Sequence, residues 1–406
     1  MIRDDSPRYD YLGETDFDLD AFVALIGEPT DPARVPGAIE IIDRIPVYDG
    51  AVIDSLLGGF DHDPYDAPVD PVVIRELMAE WAWALGSGPG ALVVRGAIRD
   101  LELLDAVSAV FSSIIESERD RAGVHGDHFA AAGANDRIWN SHEKLCLANP
   151  ELFMGYASTP TIAFAALAWL GPHYQITTQV NVVKPGADAQ RPHRDYHLGF
   201  YTPDETLEFP VHVHEMSSML TLQGAIAHDD IPVEMGPTKI LANSQRYTAG
   251  FAISERARFS EIFEERCVQI PMSKGDALLF NPAVLHAAGD NRTPDRPRMA
   301  NLMQLCSAFT RALEHRDTDA MCRVVYPHLR AAVDADTIGH GARRRVVAAC
   351  AEGYAFPTSL DTDPSLKGLA PDSQAQIMAL ALAESWDPDR FGAALDERNR
   401  RRPQGA

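Results

Sequence analysis

Two histidines and an aspartate in this sequence are spaced to hold one metal ion. Residues 177–186 alternate in character along an extended run that stops at Pro185-Gly186, and a few positions on come His193, Arg194 and Asp195. On an extended backbone, residues at i and i+2 project to the same side, so His193 and Asp195 can reach a common ion. A third ligand is available in His286, where a second apolar run (277–285) also ends on a histidine. Two imidazoles and a carboxylate on one face of an octahedral ion leave three positions open, as non-haem Fe(II) chemistry with O2 requires.

A His-x-acid triplet alone is weak evidence. With 14 histidines and 59 acidic residues, roughly two such triplets arise by chance, and the chain has four: His125/Asp127, His193/Asp195, His228/Asp230 and His315/Asp317. The first follows a helical stretch, and the last has no strand-rich segment after it to return a distal histidine. Between His228 and His286 there is room for about three strands, too few crossings for a two-sheet jelly roll. Between His193 and His286 lie four strand-like runs, at 217–226, 238–242, 267–271 and 277–280.

Two further features look toward the same barrel. Arg298 opens an apolar run (299–309), where a rigid guanidinium fork could grip a carboxylate in bidentate fashion. Along 176–183, alternation puts Ile176, Thr178, Val180 and Val182 on one face and Thr177, Gln179, Asn181 and Val183 on the other. Polar groups turned into a small barrel need partners, and a bound diacid with a metal would supply them.

These residues, together with Gly90-Ala-Leu-Val-Val-Arg-Gly-Ala97, Lys184-Pro185-Gly186, Gly236-Pro237-Thr238-Lys239-Ile240, Gly275-Asp276 and His286…Gly289…Asn291…Arg298, resemble the phytanoyl-CoA dioxygenase family of Fe(II)/2-oxoglutarate-dependent oxygenases over roughly 88–312. The resemblance implies that His193, Asp195 and His286 bind iron, that Arg298 takes the distal carboxylate of 2-oxoglutarate, and that Gln179 and Asn181 line the cosubstrate pocket. It also implies use of O2, release of succinate and CO2, and hydroxylation of a C–H bond in a small molecule. Halogenating relatives carry a small residue in place of the carboxylate ligand, so Asp195 points to hydroxylation. The sequence departs from the family twice. Ala287-Ala288 stands where a Gly-Ser pair is usual, removing a serine contact to the cosubstrate, and Ala242-Asn243-Ser244-Gln245 replaces Pro-Gly-Ser-His. A cupin-like metal-dependent isomerase and a non-catalytic metal- or ligand-binding member of the fold are the alternatives.

The elements needed to position these groups give an α+β protein with a double-stranded β-helix (jelly-roll, cupin-like) core flanked by helices. Residues 1–87 read as an N-terminal extension with helices at 18–26 and 71–85, residues 88–312 as the dioxygenase domain, and 313–406 as a C-terminal helical extension. Within the middle part, a strand at 92–95, a helix at 101–118 and one helix over 156–170 are expected. Residues 121–149, with His125, His128, Trp139, Asn140 and His142, could line a substrate pocket but read better as structural. The connection from Tyr196 to Met216 reads as a lid. Helices are expected at 343–352 and 373–385, and the basic end, 398–402, as a frayed solvated tail. A net charge of −23 argues against nucleic acid as a partner. Five scattered cysteines indicate free thiols, and with no visible signal peptide and no apolar run long enough for a bilayer, a cytoplasmic location follows as the expectation. Oligomeric state is not legible.

Overall fold

The computed structural model describes residues 10–402 apart from 14–15, 58–61, 63–69, 123–133, 198, 200, 253–255 and 366–367. Eleven strands are described: β1 (Glu40–Ile42), β2 (Ile45–Asp49), β3 (Ala91–Arg95), β4 (Asn135–Ile138), β5 (Gln175–Val183), β6 (Thr221–Ala227), β7 (Lys239–Leu241), β8 (Val268–Gln269), β9 (Ala277–Phe280), β10 (Leu285–Ala287) and β11 (Arg298–Cys306). They form an eight-stranded sheet ordered β1-β2-β3-β9-β6-β11-β5-β4 and a three-stranded sheet ordered β10-β7-β8. From β5 onward the chain passes back and forth between the two sheets, which is the winding of a jelly roll.

Alternation along the strands sorts side chains into layers. Ile176, Val180, Met303 and Leu305 turn outward into a large core shared with the helices, which includes Tyr48, Trp81, Phe164, Tyr326 and Phe391. Residues from all three parts of the sequence thus meet in one core, and β2 pairs in parallel with β3, so the N-terminal part adds strands to the main sheet. A second cluster, including Val93, Ala227, Met235, Ile240, Leu278, Phe280 and Ala300, fills the space between the sheets. A third lies outside the small sheet, where the helices Leu19–Ile26 and Ala257–Arg266 pack against Leu241, Leu285 and Ala287.

Helix starts follow local chemistry. Asp70 before Pro71, Asn149 before Pro150 and Asp387 before Pro388 each accept a backbone N–H in the first turn, while the proline gives up an N–H that would have no partner there. The same preference divides the helix expected at 156–170. Pro160 starts a new helix (Pro160–Leu170) after Pro150–Ala157, with a 57° bend between them. Among the described residues no single helix is long and apolar enough to cross a membrane.

The basic end also differs from the expectation of a frayed tail. Residues Pro388–Arg401 form a helix, Arg402 pairs with Asp363 at 2.7 Å and Arg398 with Glu352 at 2.8 Å. Acidic partners contributed by preceding loops convert a solvated charge run into a docked helix. The segment after Asp195 is likewise partly helical, at Pro203–Thr206 and Val211–Met219.

Where helices meet the outer face of the main sheet, a buried hydrogen-bonded chain links five elements. The Ser108 hydroxyl donates to Leu104 O and so accepts from His228 Nδ1 at 2.8 Å. His228 Nε2 then accepts from Tyr156 Oη (3.0 Å), which in turn accepts from Asn301 Nδ2 (2.9 Å). Asn301 Oδ1 accepts from Ser141, which also meets Thr178. This order requires a neutral imidazole, and burial holds His228 down to about 3. His142, packed on Phe153, is held at about 3 by burial, with Arg316 adding to the effect. Both groups have ordinary values of 6.5, so between pH 6.5 and 3 the unfolded chain binds protons that the native state refuses. Stability therefore falls as pH falls through that window, by up to about 1.4 kcal/mol per pH unit for each group. Urea midpoints measured from pH 7.5 to 4 should show this decline, and His228→Gln should flatten its slope, whatever its effect at pH 7.5.

Candidate metal centre

His193 and His286 face one another across a narrow antiparallel bridge, each N–H donating to the other's carbonyl at 3.0 Å. The Asp195 N–H donates to Pro282 O at 3.0 Å. Backbone bonds thus tie the segment after the Pro-Gly turn to the residues leading into β10, independently of any ion. The turns on either side are built for this. Gly186 sits at φ +74° and its N–H reaches Asn291 O, while buried Asn291 donates to Val183 O and Arg296 O and so clamps the loop between β10 and β11. Gly275, at φ +89°, lies where a Cβ would come within 2.2 Å of Ile98 O. Beside it Asp276 accepts from Gly96 N and Ser273 N and pairs with Arg95, setting the start of β9.

The side chains converge. Ligand atoms of His193, Asp195 and His286 all lie within 4.8 Å of one another. His193 Nδ1 lies 2.9 Å from Arg191 O and His286 Nδ1 2.9 Å from Val284 O. A carbonyl can only accept, so each Nδ1 carries the proton and each Nε2 keeps its lone pair. These nitrogens stand 3.9 and 3.6 Å from the Asp195 carboxylate, a set of acceptors suited to one shared cation. Burial, reinforced by His286, holds His193 below its usual value, so its ring is neutral and able to ligate near pH 7. Burial alone would raise Asp195, but the His286 and His193 rings, once they take a second proton in acid, and the Gln223 amide outweigh it and keep the carboxyl well below the usual range.

Gln223 was not picked out in the sequence. It lies in β6, where Thr221 is the other polar residue, and its Nε2 donates to Asp195 Oδ2. The Phe280 ring packs on His286 with centroids 4.7 Å apart. One signal was legible: a lone glutamine within 222–227, where every other residue is hydrophobic or glycine.

Arg298 is buried, whereas Arg292 and Arg296 are exposed. Its Nε donates to Met235 O at 2.6 Å, and the side chain lines a cavity between the sheets. Burial pushes it down to about 10, with no charged neighbour contributing. Ile240, directly opposite His286 in the small sheet, lines the same cavity. Gln179 and Asn181 share the inward face of β5 but do not line it. Gln179 accepts from Arg137 at 3.0 Å and donates to Glu314 at 3.4 Å, and the buried Asn181 Oδ1 has no hydrogen-bond partner.

The other histidines fall elsewhere. His228 belongs to the buried chain, while Asp230 accepts from Lys274 N. Asp317 caps the helix Thr318–Asp334, and Asn140 bonds the carbonyl of His315. His125, Asp127 and His128 lie outside the described residues. His197 bridges Thr221 and Thr310, and His214 packs on Tyr196.

A family model described as phytanoyl-CoA dioxygenase (PhyH) matches residues 88–300, more than half the chain. No curated protein matches it in sequence. Among solved structures the chain is similar to the non-heme alpha ketoglutarate dependent epimerase SnoN from nogalamycin biosynthesis (19% identity over 59% of this chain and 84% of that one, TM-score 0.38). It is also similar to the carbocyclase SnoK from the same biosynthesis (18% identity, 61% and 87%, 0.38). A third similar structure is HygX from Streptomyces hygroscopicus with nickel and 2-oxoglutarate bound (15% identity, 56% and 87%, 0.39).

Partners that orient a ligand typically contribute about 10- to 100-fold to metal affinity. Gln223→Leu should therefore weaken Fe(II) or Mn(II) binding by about that factor in anaerobic titration, leaving the far-UV spectrum unchanged.

Proposed function

Since the chain belongs to the phytanoyl-CoA dioxygenase family, and so to the non-haem iron enzymes that use 2-oxoglutarate, we propose that it hydroxylates a C–H bond of a small molecule at the His193/Asp195/His286 centre. The observation that carries this reading is the pairing of two features. Three ligand atoms that can only accept converge within 4.8 Å of one another, and a cavity that shares Ile240 with the strand pair carrying His286 holds a buried guanidinium that has no carboxylate partner among the described residues. A buried unpaired cation is costly, and the distal carboxylate of 2-oxoglutarate would relieve that cost. An isomerase using the metal alone would have no need of Arg298.

When bound, Fe(II) and 2-oxoglutarate supply O2 activation coupled to decarboxylation to succinate and CO2. The chain's own part is placement. His193 and His286 would offer Nε2 lone pairs fixed by their Nδ1–H bonds, and Asp195, held by Gln223, would offer its charge. Arg298 would hold the far end of the cosubstrate. Tyr196 starts the segment beyond the carboxylate and packs with Phe209 and Ala283, where it would help keep water from the reacting centre.

Anaerobic titration of the Fe(II) protein with 2-oxoglutarate, followed by a small-molecule screen for succinate release and hydroxylated product, tests the reading. An Fe(II) protein that fails to bind 2-oxoglutarate would favour the isomerase. Charge-assisted hydrogen bonds contribute about 1.5–3 kcal/mol each, so Arg298→Ala should weaken 2-oxoglutarate binding by about one to three orders of magnitude with metal affinity nearly intact. Lysine should restore only part, lacking the planar fork, and Arg296→Ala should change nothing.

A further inference from the structure

Alternation assigns the two faces of the main sheet. Leu222, Ile226, Met303 and Leu305 join the outer core with the helices, so Gln223, Ala225, Leu302 and Gln304 turn inward. That inward face changes character along its length. Toward Arg298 the register opposes Ala300 to Ala227 and Leu302 to Ala225, and these apolar residues line the cavity between the sheets. The next inward pair is Gln304 opposite Gln223, with Thr177 on the other side of Gln304. This pair stands at the level of the metal centre. Gln223 holds Asp195, and Phe280, opposite Gln223 on β9, packs on the His286 ring.

The hydrogen-bonding capacity of the pair is only partly used. Gln223 is 4% exposed, and with its Nε2 committed to Asp195 its Oε1 is buried with no hydrogen-bond partner. Gln304 is half-buried, and the Thr177 hydroxyl donates to its backbone carbonyl, so its side chain makes no hydrogen bond among the described residues. A buried amide oxygen needs a donor. A hydroxyl between the two side chains would donate to Gln223 Oε1 and accept from Gln304 Nε2. An ammonium group could do only the first, and an aliphatic group neither. We propose that the substrate is a hydroxyl-bearing molecule of sugar or polyol type, and that Gln304 and Gln223 Oε1 select it by engaging one hydroxyl beside the metal. The proposal rests on the reading of this centre as a 2-oxoglutarate-dependent hydroxylase and names a substrate class for it.

A binding measurement close to the metal tests this before any substrate is known. The full-length protein is loaded with Mn(II) and 2-oxoglutarate, and paramagnetic broadening of ligand proton signals is followed for two probes. One is a set of methyl hexopyranosides (glucoside, galactoside and mannoside), and the other is tetrahydropyran, the same ring without hydroxyls. At least one glycoside should be broadened and bind about fivefold or more tightly than tetrahydropyran. Gln304→Met, similar in length, should weaken that glycoside about fivefold to tenfold while leaving tetrahydropyran and 2-oxoglutarate affinity unchanged. Tetrahydropyran binding as well as the glycosides would overturn the proposal, and that comparison in wild type needs no variant. Glycoside binding indifferent to Gln304→Met, or no broadening of any glycoside, would overturn it too. Failure of 2-oxoglutarate to bind the Mn(II) protein, measured first by calorimetry, would instead overturn the reading of the site itself.

Discussion

The reciprocal pair of backbone hydrogen bonds between His193 and His286 is the contact on which the centre depends. A residue ninety-odd positions away in sequence is brought to the same pleat without help from an ion, because the two peptide groups satisfy each other. Everything on either side serves that pairing. Gly186 and Asn291 set the turn into it, Asn281 and Pro282 set the turn out of β9, and the Nδ1 contacts to Arg191 and Val284 fix the rings. The site is thus preorganised, and a cation entering it has little side-chain entropy left to remove.

Charge burial is the second organising constraint. The chain is strongly acidic, yet the interior between its sheets holds a guanidinium, while a carboxylate sits beside the two histidines. An aliphatic residue at either position would pack at lower cost. Burying the large outer face of the main sheet under helices from both ends of the chain offsets that cost, and the buried chain through His228 and Tyr156 joins the helices to strands that carry the centre. Protonating His228 in acid would break that connection well away from the metal site.

Much of this was legible in the sequence. The strand ending at Pro185-Gly186, the His193-Arg-Asp195 triplet, the run ending at His286 and Arg298 could be read because period-2 alternation and turn residues are local signals. Counting strands between ligands chose His193/Asp195 among the four triplets, and the jelly roll came with the family resemblance. What could not be read depends on contacts between distant segments. The bend at Pro160 competed with an unbroken apolar run, and the docked C-terminal helix needs Glu352 and Asp363 from loops whose position only the fold sets. The resemblance implies that Gln179 lines the cosubstrate pocket, and no local pattern foretells that Arg137 and Glu314 engage its amide. Gln223 acquires meaning from Asp195, which only the fold brings beside it.

Anomalous diffraction from crystals of the protein grown anaerobically with Mn(II) in place of Fe(II) addresses the centre most directly. The account predicts a single strong peak about 2.0–2.3 Å from Nε2 of His193, Nε2 of His286 and a carboxylate oxygen of Asp195. A peak elsewhere, with these three side chains left without metal, would contradict it.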